Sequence, residues 1–262
     1  MLTIEVKYRP VSWLPFSQKA ESNVPQNWGD VTQKQLIAIA CLYKSAISDI
    51  DFLKSMSGLK KNILNKLSDF ELYKLMEIFE FVADQKPYHE FIIRNLSVSY
   101  HPVLLAPSHK LKGVTFGQFI FADSYFANYQ QSNDEDDLNK FIASLYLGKN
   151  ENFEERLIQE RFLCIGKLDM NIRQAIVLNY QLIHEWLALA YPLIFQKQEQ
   201  VVNDETRNPE AVSRKSSPWI KVFQNFVGDD ILHDEAWAAK PVNTIFAYMT
   251  RKYKENARTR NK

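Results

Sequence analysis

A seven-residue string of the form Val-Thr-x-x-Gln-(Leu/Phe)-Ile occurs twice in this chain, as Val31–Ile37 and again as Val114–Ile120. In each copy the threonine hydroxyl can accept from the backbone N–H three residues on. The glutamine at that position can reach back to the threonine's own N–H, the reciprocal pattern of a capping box. Both strings therefore predict helix starts, at Thr32 and Thr115. Beyond the starts the likeness fades, because Phe119, Phe121, Tyr125 and Phe126 in the second copy stand against aliphatic Leu36, Ala38 and Leu42 in the first. The strings thus read as two caps opening two helical subdomains and not as a true repeat.

The remaining signals fill in a mainly α architecture. Residues 1–30 read as an extended arm with one short strand, in which Leu2, Ile4, Val6 and Tyr8 alternate, since Pro10, Pro15 and Pro25 forbid a helix. A helical subdomain follows at 31–86, with a third capping-box pair at Ser68 and Glu71 and a short turn from Asp49 to Met56 before Gly58. Residues 87–113, with Pro87, Pro102, Pro107 and Gly113, form a crossover, with strand character at Leu96–Tyr100. The second helical subdomain spans 114–195. In it the run Asp134–Asp137 caps a helix to Leu147, another helix covers Asn152–Ile165, and a long one covers Asn171–Tyr191 before Pro192. Residues 196–217 are almost wholly polar and read as a linker. A C-terminal helical segment, 218–262, has apolar stripes at Trp219–Val227 and from Val242 to about Lys254, then a basic tail.

With 46% hydrophobic and 13% aromatic residues in 262, the chain has ample material for a buried core. A net charge of +1 gives no global attraction to nucleic acid or to anionic membranes, so binding of either must come from a local patch. The apolar stretch Ile172–Phe195 carries Arg173, Asn179, His184 and Glu185, which suits a buried helix and not a bilayer. Cys41 and Cys164 each sit among apolar neighbours and read as core thiols in a reducing cytoplasm. The N-terminal residues lack the pattern of a signal peptide.

Catalytic, metal and nucleotide chemistries find little support. His89, His101 and His109 lie in the crossover at separations that match no zinc spacing, and His184-Glu185 lacks a second histidine at Ala188. The acidic run fails the calcium-loop pattern, with Asn139 and Leu145 where glycine and glutamate are needed. Seven glycines fall in no phosphate-cradling arrangement, and no nucleophile elbow occurs. No cofactor and no enzymatic activity are expected.

Two local features suit binding. Phe116, Phe119, Tyr125 and Tyr129 follow helical spacing poorly enough that some rings are expected outside the core, where they would mark a protein partner. The tail carries Arg251, Lys252, Lys254, Arg258 and Arg260 against Glu255, a set able to contact phosphates without sequence specificity. The same tail also reads as a solvated end whose cations suit the negative pole of the final helix.

Several segments together resemble the tail assembly chaperone type of protein encoded in the tail-morphogenesis region of tailed bacteriophages and prophages. They are Pro25-x-x-Trp28-Gly29-Asp30-Val31-Thr32-x-x-Gln35, and Val114-Thr115-Phe116-Gly117-Gln118-Phe119 with Asp123 and Tyr125. Leu138-x-x-Phe141-Ile142-Ala143-Ser144-Leu145-Tyr146 follows, then Trp186 with Tyr191-Pro192-Leu193-Ile194-Phe195. The resemblance implies a helical, non-enzymatic protein that binds the tail-tube or tape-measure protein during assembly, in the host cytoplasm. The alternative is a nucleic-acid-associated accessory protein that works through the basic tail.

Overall fold

The structure, a computed structural model, describes residues 1–10, 16–84, 86–98, 102–195, 219 and 234–260. Among the described residues it is mainly α, with two small antiparallel sheets. The chain divides into two compact units, one of residues 1–93 with 169–186 and the other of residues 94–168 with 187–262. This division differs from the one expected at 31–86 and 114–195, because the long helix near residue 180 supplies most of its length to the first unit. The linker at 196–217, the apolar stripe Val222–Val227 and His101 lie outside the described residues.

In the first unit the N-terminal arm is a hairpin. Strand β1 (Leu2–Tyr8) pairs antiparallel with β2 (Gln18–Val24), Glu5 opposite Glu21. The second strand went unread because Gln-Lys-Ala-Glu-Ser-Asn has neither β-branched residues nor apolar alternation. Its place comes from tertiary contacts: Val24 is buried, and the Ser22 hydroxyl donates to the Ser57 carbonyl. A 3₁₀ turn at Trp28–Asp30 leads into α1 (Gln33–Tyr43), which packs on α2 (Asp49–Ser57). Gly58, left-handed at φ 71°, ends α2. A short α3 (Lys61–Leu64) and α4 (Asp69–Glu77) follow. The unit is completed from far along the chain by α8 (Met170–Ala190), through its residues up to Trp186. There the buried Asn179 amide accepts from the Ile92 N–H and donates to the Glu90 carbonyl, fastening the irregular segment 86–93.

The second unit repeats the opening order of the first. A short hairpin, β3 (Asn95–Leu96) with β4 (Leu104–Leu105), and a 3₁₀ turn at His109–Leu111 precede α5 (Phe116–Ser132) and α6 (Glu135–Leu145). Then come α7 (Arg156–Ile165), α9 (Asp234–Ala238) and α10 (Val242–Arg260). Helix α7 starts four residues later than expected, and α10 runs on through the basic tail, so the tail is helical to Arg260. Gly117 permits the approach of α9: a Cβ there would meet the Ala238 methyl at 3.2 Å.

The duplicated string does the same two things in both units, one expected and one not. Thr32 and Thr115 both cap their helices, and Gln35 closes the reciprocal box on the Thr32 N–H at 2.9 Å. Gln118 does not close its box. The Phe116 N–H, the first of α5, donates to the Lys240 carbonyl, and the buried Gln118 amide donates to the Ser144 and Leu145 carbonyls at 2.9 and 3.3 Å. Gln35 makes the matching contact, its amide donating to the Met56 carbonyl at 2.9 Å. Met56 and Ser144 are each the penultimate residue of the second helix, so the shared glutamine ties the start of one helix to the end of its neighbour. The two strings therefore mark a repeated helical hairpin, where the sequence supported only repeated caps. Gln118→Leu is expected to lower stability by about 1–2 kcal/mol, since it leaves buried carbonyls short of a donor, and half-exposed Gln35→Leu by less, since water can replace its amide. Urea unfolding of the two variants measures this, and equal losses would contradict it.

Candidate partner-binding surface

The aromatic residues expected to meet a partner are mostly core. Phe116, Phe119 and Tyr129 are buried. Phe119 lies edge-on to Phe195, Trp219 and Phe246 with ring centroids 5.2 to 6.4 Å apart, and the Trp219 indole N–H donates to the buried Asp123 carboxylate. The misfit to helical spacing is only apparent, because the buried residues Phe116, Phe119, Ala122, Asp123, Phe126 and Tyr129 recur at steps of three and four on one face of α5. Of the four, Tyr125 alone is half-buried, stacked on Phe121 and lying under the Lys140 ammonium. Burial and nearby Glu155 and Asp137 push its phenol pKa up.

The basic residues lie on the exposed part of α10. Its first half is anchored by Val242, Ile245, Phe246 and Met249, whereas residues 251–259 are exposed on every face. Arg251, Lys254 and Arg258 recur at helical spacing and so share one stripe. Arg251 lies 5.1 Å from the Tyr248 ring centre and 4.0 Å from Glu255, and Lys252 is 3.9 Å from the same carboxylate. Arg260 ends the helix.

The expected core thiols are only half-buried and both are free; burial and Asp169 raise the Cys41 pKa. His89 packs against Tyr88 and Trp186, and His184 against Tyr180. Among the described residues, no group of three metal-ligating side chains forms and no helix is long and apolar enough to cross a membrane.

A surface that sequence reading missed lies in the first unit. Along β1, Ile4 and Val6 turn inward while Glu5 and Lys7 face solvent. Helix α4 is started by the Ser68–Glu71 capping box, and Leu75 faces the strand together with Leu67 just before the cap and Ile78 at the helix end. Between strand and helix opens a groove of about 330 Å³ lined by all four consecutive residues Ile4–Lys7. Successive strand side chains point to opposite faces, so a groove touching four in a row runs along the strand's edge. It continues into a second hollow of about 290 Å³ that shares Lys7 and Glu71 and adds Tyr8, Arg9 and Lys66. Outside the groove's lining, Phe70 and Tyr73 of α4 are 68% and 61% exposed, and the ammonium of the groove-lining Lys74 sits 5.6 Å from the Phe70 ring centre. No sequence motif signals this site, because its two walls are some sixty residues apart and neither is unusual alone.

The charges of the groove are unevenly satisfied. Glu5 accepts from Lys19 at 2.9 Å, which raises the Lys19 pKa, and Glu71 accepts from the Ser68 N–H at 2.8 Å. Lys66 donates to the Pro10 carbonyl and lies over Tyr8. Lys7 and Arg9, both exposed, have no ion pair among the described residues. Comparison with known proteins adds no relative: no family model, curated protein or solved structure matches this chain.

Proposed function

We propose that this chain is a non-enzymatic morphogenesis protein that works through protein–protein contacts in the assembly of a bacteriophage or prophage tail. The observation that supports binding is the open groove between β1 and α4, together with the exposed aromatic side chains of Phe70 and Tyr73 elsewhere on that helix. The phage assignment rests on the resemblance carried by residues 25–195, and it names the tail-tube or tape-measure protein as the partner. Co-expression with the tail-tube and tape-measure proteins of the same gene neighbourhood tests it. A complex that survives moderate salt is expected, and the reading fails if neither protein co-purifies.

A second reading is favoured by one feature, the stripe of Arg251, Lys254 and Arg258 on a helical end exposed all round. Contacts of this kind would retain DNA or RNA in a strongly salt-dependent way. The same purification decides it: removing residues 251–262 should abolish any salt-sensitive nucleic acid that accompanies the protein, and unchanged retention would end this reading.

A further inference from the structure

We propose that the β1–α4 groove takes an extended polypeptide segment that pairs its main chain with the outer edge of β1. The apolar side chains of that segment would rest on Leu67, Leu75 and Ile78, and an acidic group at one end would meet Lys7 and Arg9. The inference rests on the protein-binding reading above and specifies the class of ligand.

Four observations carry it. β1 is paired on one side only, and in a two-stranded ladder alternate N–H and C=O groups turn outward. No main-chain partner takes those outward groups among the described residues. The other hairpin shows the edge covered: in the second unit Leu105 of β4 exchanges both main-chain hydrogen bonds with Leu147, at 2.7 and 3.1 Å. An open edge seven residues long is normally blunted or filled, and here it faces a trough with an apolar helical wall, the arrangement in which a peptide adds as a strand. The wall supplies side-chain contacts for alternate residues of such a strand, since every second side chain would face α4.

Charge selects the occupant. At the Arg9 end the groove gathers Lys7, Arg9 and Lys66 while Glu71 is engaged at the helix cap, so an acidic group is complementary there. A second copy of the chain fits worse. A symmetric antiparallel pairing of β1 with β1, centred on Glu5, sets Lys7 against Thr3 and brings no acidic group to the basic end of the groove.

The test uses the full chain and a fluorescein-labelled peptide, Thr-Val-Ser-Val-Thr-Ile-Asp, read by fluorescence anisotropy. Saturable binding is expected. Two further peptides carry N-methyl groups on alternate amides, one in each phase. Strand pairing engages only one phase, so one should bind about tenfold more weakly than the other. The exposed pair Lys7→Glu/Arg9→Glu should weaken the acidic peptide about tenfold and improve one ending in lysine. Failure of every peptide to bind, equal effects of the two N-methyl phases, or no reversal by the charge swap would each overturn the proposal. So would a dimer in sedimentation that the charge swap dissolves, which would give the groove to a second copy. Phage-tail and groove readings separate cleanly. If tail proteins co-purify with the wild type and equally with Lys7→Glu/Arg9→Glu/Ile78→Lys, the groove inference fails alone. If no tail protein binds but the peptides behave as stated, the tail reading fails alone.

Discussion

Phe119→Ala is expected to destabilise the second unit by about 3–5 kcal/mol, the range for removing a fully enclosed aromatic ring. The ring is 1% exposed and lies edge-on to Phe195, Trp219 and Phe246. Its removal therefore forfeits transfer energy, ring–ring contacts and local packing at once. Phe119→Leu retains most of the volume and should lose clearly less. Urea unfolding followed by circular dichroism compares the two. A loss below about 1 kcal/mol for the alanine variant would mean that the ring is not in a packed core, and the original expectation of a surface aromatic patch would return.

Glu151→Ala should be the next most damaging change, at about 3 kcal/mol near neutral pH. Arg161, 7% exposed at its side chain, donates to the Glu151 carboxylate at 2.5 Å and to the Tyr146 carbonyl at 3.4 Å, while the Gly148 N–H donates to the same carboxylate at 2.7 Å. Without the carboxylate a buried guanidinium is left short of its anion. Partial burial disfavours the charge on Glu151, but the hydrogen bonds from Arg161 and Gly148, with the attraction of Arg161 and Arg156, outweigh it and hold its pKa below the ordinary value of 4.5. A lowered folded pKa sets the sign: the stabilisation is fully present above the unfolded-state value and is lost as pH falls through the folded one. Wild type and variant should thus differ by a constant amount above about pH 5.5 and converge on acidification. Unfolding midpoints across that range measure the gap, and a gap that widens in acid would contradict the assignment.

Sequence made the local chemistry legible and left the long-range chemistry hidden. Thr32, Ser68, Asp134 and Thr115 announce their helices because a cap is settled within three or four residues. The fate of Gln118 is not announced, since its acceptors, the Ser144 and Leu145 carbonyls, lie at the end of another helix. Helical spacing found α8 to within a residue at each end, yet it could not show that this helix serves the first unit. Strand β2 escaped notice because its polar sequence carries no pattern and its position is imposed by β1. The groove depends on both β1 and α4, so neither segment read alone contains it. The last helix was expected to end near Lys254, and it instead persists to Arg260, supported by contacts of Arg251 and Lys252 with Glu255 and Tyr248.

The side chain of Asn179 has a bearing on how the molecule is made. It closes on Ile92 and Glu90 across 87 and 89 residues of sequence, and the Leu182 carbonyl accepts from the Tyr88 N–H over a similar span. A ribosome must therefore translate all the intervening helices before the first unit can be finished, a delay on the order of ten seconds at ordinary elongation rates. During that interval the hairpin and α1–α4 emerge without their last wall, and segment 86–93 has no amide to fasten it. The first unit thus begins to fold early but cannot close until residues 169–186 have been made, and the second unit waits in turn for α9 and α10.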